Sequence, residues 1–421
     1  MTPPNVLLIV VDTLRRDHLG AYGYERSISP SIDALAASAV RYDHAVSQAP
    51  WTTASMGSLM TSRYPGQLGI RGTRSILDDD LLVLAEAMQA GGYSTQAVVS
   101  NIFCSSRWNF DQGFDAFDES QMVFYRTATS PGVTERALAL LPSGGTKPFF
   151  MWVHYFDPHN HYLLHPEFDP TPGVHYDGLF DEHMGFHQLQ RRLARFGPRD
   201  IAQMVRNYDS EIGFTDHSIG VLLDELRHRG LYDSTLIIFT ADHGEEFMDH
   251  GGLGHDQTLY DELVDVPLII KYPGAGAGVV RRVVALIDLY PTILAEAGIA
   301  PPARLEGSPL PRPGAPPGTG RWVFTETSRR AELRGAVSDR YKAILRLPGS
   351  TFEFYDLDTD PAETTNLADT GLAAFAAHRD ALMAWQRSQV REAGGPGPRL
   401  TLTGEERRRL RSLGYVEDDE P

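Results

Sequence analysis

The sequence predicts an α/β fold layered around a largely parallel sheet, and two observations carry that prediction. The first is a set of short apolar runs, Val6–Val11, Thr95–Ser100, Pro148–His154, Thr235–Thr240 and Val266–Lys271, with the length and composition of strands covered on both faces. The second is that helical patterns lie between them. Ile32 to Ala39 and Leu81 to Ala90 are two. A third runs from about Ile212 to Arg229, with Ile212, Ile219, Leu222, Leu223 and Leu226 on one face and Gly230 as a stop. Strands alternating with helices give a parallel sheet. Sites in such sheets gather beyond the carboxyl ends of the strands, where Asp12, His154 and Asp242 fall.

Taken in order, the first run (Val6 to Val11) is continuously apolar and ends in Asp12, as a central strand would. After Ala300 the character changes. Pro301 to Thr319 is rich in Pro and Gly and reads as a surface linker. Beyond it come short strand-like pieces, Trp322–Thr325, Ala336–Ser338, Lys342–Leu347 and Phe352–Leu357, then a helix from Leu372 to about Arg391. The expected organisation is a catalytic α/β domain over residues 1–300, a linker over 301–320 and a small α+β subdomain over 321–421. A length of 421 residues suits one large domain plus a smaller one.

Composition excludes some partners. Lys and Arg number 38 against 55 Asp and Glu, a formal charge of -17, so the surface repels nucleic acid and anionic membranes. An anionic ester would be repelled too, unless local cations or a metal reverse the sign inside the site. Cys104 is the single cysteine, so no intramolecular disulfide forms. The N-terminal segment lacks a cationic leader region, and its apolar run is too short to span a bilayer. These features predict a cytoplasmic protein without a membrane anchor; a homo-oligomer stays open.

The chemistry-bearing residues cluster at strand ends. In Phe239-Thr-Ala-Asp242-His243-Gly244-Glu245 an apolar strand delivers an Asp-His pair into a glycine turn. A lone Asp-His-Gly is more often a helix cap beside a solvated histidine. Here His250 and His255 follow at short range, and carboxylate with imidazole is an ordinary divalent-metal ligand set. Asp12 follows its strand directly, where a carboxylate is either a cap, paired or metal-bound. Thr52 and Thr53 precede a helix running through Met60, so a hydroxyl sits where the helix dipole favours an anion. His154-Tyr-Phe-Asp157-Pro-His159-Asn-His161 forms a further polar cluster.

In this order the segments resemble the sulfatases of the alkaline phosphatase superfamily and the related phosphonate and phosphodiester hydrolases. Those proteins have a strand ending in a metal-binding Asp, then a Cys/Ser-x-Pro-Ser-Arg nucleophile motif closing in Thr-Gly-Arg-Tyr-Pro. Phe-Asp-Pro-His and Asp-His-Gly-Glu segments follow. Here the matching stretches include Thr61-Ser-Arg-Tyr-Pro65, Leu259-Tyr-Asp-Glu262, Val266-Pro-Leu268, Leu286-Ile-Asp-Leu-Tyr-Pro-Thr292 and Tyr355-Asp-Leu with Asp360-Pro-Ala-Glu and Asn366-Leu. The resemblance implies a three-layer sandwich around a large, mostly parallel mixed sheet, as in alkaline phosphatase, with a small C-terminal α+β subdomain. It also implies a hydrolase acting on phosphoric or sulfuric esters, with a small-molecule, lipid or sugar ester as substrate.

The departures from the family pattern shape the expected mechanism. Aligning Thr61-Ser-Arg-Tyr-Pro65 places Thr52 where the family has the Cys or Ser that becomes formylglycine; Ala54 replaces the motif proline and Met56 its arginine. Cys104 lies in no such motif. The resemblance then assigns Asp12, Thr52, Asp242 and His243 to a metal, with Thr52 as nucleophile and His159 and His255 as acid/base groups. Asp157, His159, His255 and Arg15 are candidates for a second metal or for substrate. Thr13 and His243 stand where sulfatases have Asp and Asn, and an imidazole in place of a carboxylate favours manganese or zinc over calcium or magnesium. A threonine ester lacks the elimination route of formylglycine, which tilts the expectation towards a phosphodiester or phosphonate. The alternatives are a sulfatase, a transferase handing the group to an alcohol, and a non-catalytic metal-binding homologue.

Overall fold

The computed structural model describes residues 3–122, 129–142, 147–315, 320–389, 397–412 and 415. Strand Asn5–Val11 lies in the middle of what is, among the described residues, a nine-stranded sheet. Val6 through Val10 have no exposed surface, odd and even positions alike, so the sheet is covered on both faces. Each such aliphatic side chain contributes about 1.5–3 kcal/mol by leaving water.

Phe149–Tyr155 and Thr235–Ala241 flank this strand in parallel, and Ser94–Val99 and Ala116–Asp118 extend the parallel run. Asp265–Lys271 runs antiparallel to both of its neighbours, Thr235–Ala241 and Val40–Val46. The sheet is therefore large, mixed and mostly parallel. Between Ala241 and Asp265 the only helix is the four-residue Asp261–Val264, so no crossover carries the chain back to the other edge. The next strand runs back beside Thr235–Ala241 in the opposite direction. The strand Val40–Val46 escaped the sequence reading because Arg41, Asp43 and His44 break its apolar run.

The helix expected from Ile212 begins much earlier and spans Pro198–His228. Its first turns bury polar residues, which hid them from a periodicity argument. Asp209, for example, accepts hydrogen bonds from Tyr24 Oη at 2.6 Å and Arg26 Nη1 at 2.5 Å, with His18 Nδ1 at 2.7 Å.

A second sheet, antiparallel and four-stranded among the described residues, follows as Val323–Thr327, Glu332–Val337, Tyr341–Leu347 and Thr351–Asp356. Helix Ala373–Ser388 packs on it through Leu382 and Trp385, with Trp385 stacked on Phe324 at 4.8 Å. The predicted helix end at Arg391 and part of the predicted linker, 316–319, lie outside the described residues. The described part of the linker is mostly exposed or half-buried, with Leu310 buried against the large-sheet core. Val46, Tyr64 and Leu259 share one apolar cluster with Val323, Leu333 and Trp385, which fixes the second sheet against the first. The chain then returns. Arg399 forms an antiparallel bridge with Ser75, and Leu400, Leu402 and Leu410 join the large-sheet core.

Candidate metal and nucleophile centre

Strand register brings the acidic residues together. Val11 pairs with Tyr155 on one side and Ala241 on the other, so the residues that follow, Asp12 and Asp242, leave the sheet side by side. His154 pairs with Val10 and therefore points to the same face as Asp12, two residues on. All three are fully buried, and their ligand atoms lie within 4.8 Å of one another, a group that could hold a metal ion.

Each carboxylate has one oxygen tied down and one left over. Asp242 Oδ1 accepts the N–H of Thr13 at 3.3 Å and of His243 at 2.9 Å. Asp12 Oδ2 accepts the side-chain amide of Asn101. Asp12 Oδ1, Asp242 Oδ2 and both ring nitrogens of His154 are buried with no hydrogen-bond partner among the described residues. Thr13 reaches its position with φ at 54°, a left-handed conformation that β-branched residues seldom adopt.

His243 faces the two leftover oxygens. Its Nδ1 lies 3.0 Å from the Gly244 carbonyl and so carries the proton. That directs the Nε2 lone pair inward, 3.7 Å from Asp12 Oδ1 and 3.4 Å from Asp242 Oδ2. Gly244 is required here because a Cβ would sit 2.0 Å from the Glu262 carbonyl oxygen. Burial, and then the charge of Asp242, pushes the Asp12 carboxyl well above its ordinary range. Burial pulls the His154 imidazole down to about 4, which keeps it neutral. Two carboxylates with unsatisfied oxygens and imidazoles with free lone pairs are a donor set that a divalent cation completes. The residues present fit such an ion.

Thr52 is the first residue of helix Thr52–Thr61, in which every residue is buried. Its Oγ1 lies 3.3 Å from His243 Nε2 and 3.4 Å from Asn101 Nδ2. Ser55 donates to the Asp242 carbonyl at 2.6 Å and ties this helix to the strand end. Met56 is fully buried and adds no charge.

Behind this centre stand two more imidazoles. The His255 ring centroid is 4.5 Å from that of His243 and 5.1 Å from that of His159. His159 Nδ1 faces the Asn160 carbonyl at 3.1 Å, and His255 Nδ1 faces Glu245 Oε1 at 3.0 Å. Burial drives both imidazoles down, His159 to about 3 and His255 well below the ordinary histidine range, where His243, His159, Arg329 and Arg330 add to it. The Nε2 atoms of both converge on the hydroxyl of Tyr415.

Other expected members are engaged elsewhere. Asp157 Oδ2 accepts Thr129 N at 2.9 Å, Ser130 N at 2.8 Å and Ser130 Oγ at 2.6 Å, at the N-terminus of helix Ser130–Leu140. Arg15 is held between Asp17 at 2.8 Å and Asp249 at 2.9 Å, which leaves it little charge to lend an ester. His250 pairs with Glu262 at 2.8 Å, away from the other histidines. Cys104 is a buried thiol, raised first by burial and then by Asp242 and Asp12. Asn101 had a usable signal, a polar residue just past a strand end. Tyr415, 160 residues from His255, had none.

A protein-family model described as Sulfatase matches residues 4–299. Among curated proteins, the chain is 25% identical to an uncharacterized sulfatase, YidJ, of Escherichia coli (strain K12), covering 88% of this chain and 84% of that protein. It is 26% identical to arylsulfatase A of Homo sapiens, over 96% and 91% of the two chains. Among solved structures, a 2-O GAG sulfatase superposes with a TM-score of 0.75 at 22% identity, covering 92% of each chain. The phosphonate monoester hydrolase of Agrobacterium radiobacter gives 0.74 at 20% identity, covering 94% of this chain and 100% of that one. At these identities the two superpositions establish the fold. Among the described residues, no helix is long and apolar enough to cross a membrane.

Proposed function

The chain belongs to the sulfatase family, a family of ester hydrolases, and on that premise we propose that it hydrolyses a phosphodiester or phosphonate monoester through Thr52. One observation carries this reading: the Thr52 hydroxyl sits at a buried helix N-terminus, 3.3 Å from His243 Nε2, the nitrogen that also faces the leftover oxygens of Asp12 and Asp242. Asp12, Asp242 and His243, with His154 behind them, would hold a divalent cation, manganese or zinc by the nitrogen content of the set. When bound, that ion supplies positive charge that lowers the hydroxyl pKa and stabilises charge on the ester.

The chain's own residues do the rest. Asn101 fixes Thr52 and Asp12 relative to one another. The Thr52 alkoxide attacks phosphorus in line with the leaving alcohol, forming the Thr–O–P bond as the other P–O bond breaks. The proton that leaves the Thr52 hydroxyl is taken up at Nε2 of His159 or His255, and that imidazolium then gives it to the departing oxygen. Water then attacks phosphorus, returns a proton to that same imidazole, and Thr52 leaves as the alkoxide.

A sulfate ester is the second reading, favoured by the sulfatase relatives. Clearing a threonine sulfate lacks the elimination route that formylglycine supplies. The test is a side-by-side assay of nitrophenyl sulfate, phosphate, phosphodiester and phosphonate with manganese, zinc, calcium and magnesium. A phosphorus ester should turn over at least about tenfold faster than the sulfate, about 1.4 kcal/mol of barrier. Faster turnover of the aryl sulfate than of every phosphorus ester would overturn the reading in favour of a sulfatase.

A further inference from the structure

The hydroxyl of Tyr415 occupies a position that the reaction needs. It is in hydrogen-bond contact with His159 Nε2 and lies 3.1 Å from His255 Nε2. These are the two atoms that would exchange a proton with the ester's oxygens, and they meet at one phenol oxygen.

The phenol is held independently of those histidines. Its ring meets Phe103 edge-on at 4.6 Å, and the Arg329 guanidinium lies 4.8 Å from its centroid. Phe103 belongs to the short helix Ile102–Cys104 directly after Asn101, which touches Asp12 and Thr52. The stretch leading to Tyr415 is anchored too. Leu400 N donates to the Arg74 carbonyl at 2.7 Å, Ile76 N to the Pro398 carbonyl at 3.2 Å, and Arg107 Nε to Glu406 at 2.7 Å. Leu410 is fully buried, and Tyr415 N donates to its carbonyl at 2.8 Å. These contacts position the phenol without relying on the two histidines.

We propose that Tyr415 is a substrate-contacting residue of this centre, its O–H donating a hydrogen bond to the leaving oxygen of the ester beside His159 and His255. The inference rests on the Thr52 reading above. A donor at the leaving oxygen matters most when that oxygen departs as a strong base, and matters little for a good leaving group.

The experiment uses the full-length, metal-loaded protein with phenyl and 4-nitrophenyl esters of the same phosphorus acid. Tyr415→Phe should lower kcat/KM about tenfold for the phenyl ester and less than about threefold for the nitrophenyl ester, with an unchanged melting temperature. An equal loss on both esters would mark a merely structural residue. No loss would mean that the hydroxyl is idle, and a gain would make it a plug; each of the three overturns the proposal. Thr52→Ala is run alongside. If that variant keeps activity, the Thr52 reading fails whatever Tyr415→Phe does.

Discussion

Two buried charge clusters in this protein each contain a pair of carboxylates and end in opposite states. At the junction of the two sheets, Lys342 is fully buried, with its Nζ 2.6 Å from Asp261 and 3.0 Å from Glu363. At the end of the central strands, Asp12 and Asp242 are equally buried but face each other and the His243 imidazole, each with an unpartnered oxygen. The first cluster carries its own cation and so holds structure together. The second has no such cation among the described residues, and burying like charges without a counter-ion is costly unless a ligand supplies one or a proton neutralises one of them. Both are built round buried carboxylates; what separates a structural cluster from a ligand site is whether the chain completes the charge balance itself.

The largest effect expected from this contrast is on turnover. Thr52→Ala should lower kcat/KM by about 10⁴-fold or more, about 5.5 kcal/mol of barrier, in a steady-state assay of the metal-loaded protein. Residual activity within a factor of ten would show that another group attacks.

The next effect is on stability. Lys342→Met strands Asp261 and Glu363 and should cost about 3–5 kcal/mol in urea unfolding while metal content stays at the wild-type level. A loss under about 1 kcal/mol would break the comparison from the structural side.

The metal site should respond the other way. Saturating manganese or zinc, at about 100 times its Kd, should stabilise the wild type by about 2.7 kcal/mol. Asp242→Ala and Asp12→Ala should each remove that gain and the bound metal. Asp242→Asn should leave the metal-free protein as stable as wild type or more so, because Asp242 is the charge that repels Asp12. Wild-type metal content in either alanine variant would discard the ligand assignment.

The smallest effect concerns His250. Burial pushes this imidazole down, but the Glu262 carboxylate outweighs it and raises the group from 6.5 to about 9. A folded-state value above the unfolded one means the pair's stabilisation is complete below about pH 6.5 and fades as pH rises through about 9. The stability gap between wild type and His250→Gln should therefore be widest at pH 6 and close by about pH 10. A gap that widens with pH would contradict the ion pair.

Much of this architecture was written along the chain. Continuous apolar runs located the central strands to within a residue or two, because strands buried on both faces tolerate nothing else. The same runs placed Asp12 and Asp242 at strand ends, and the helix following Ala49-Pro50-Trp51 placed Thr52 at its start. Local sequence determines such features because each depends on a few neighbouring residues. The rest was decided only by tertiary structure. Whether a polar side chain faces the centre or another partner depends on atoms far away in the chain. Thus Asp157 goes to a helix terminus and His250 to Glu262, while His154, Asn101 and Tyr415 join the site. Register across Asn5–Val11 sets the first pair of distances, and a tail returning from the second sheet brings the phenol. Periodicity reports burial and not partners, so hydrogen-bond and charge complementarity between distant segments became visible only once the chain was folded.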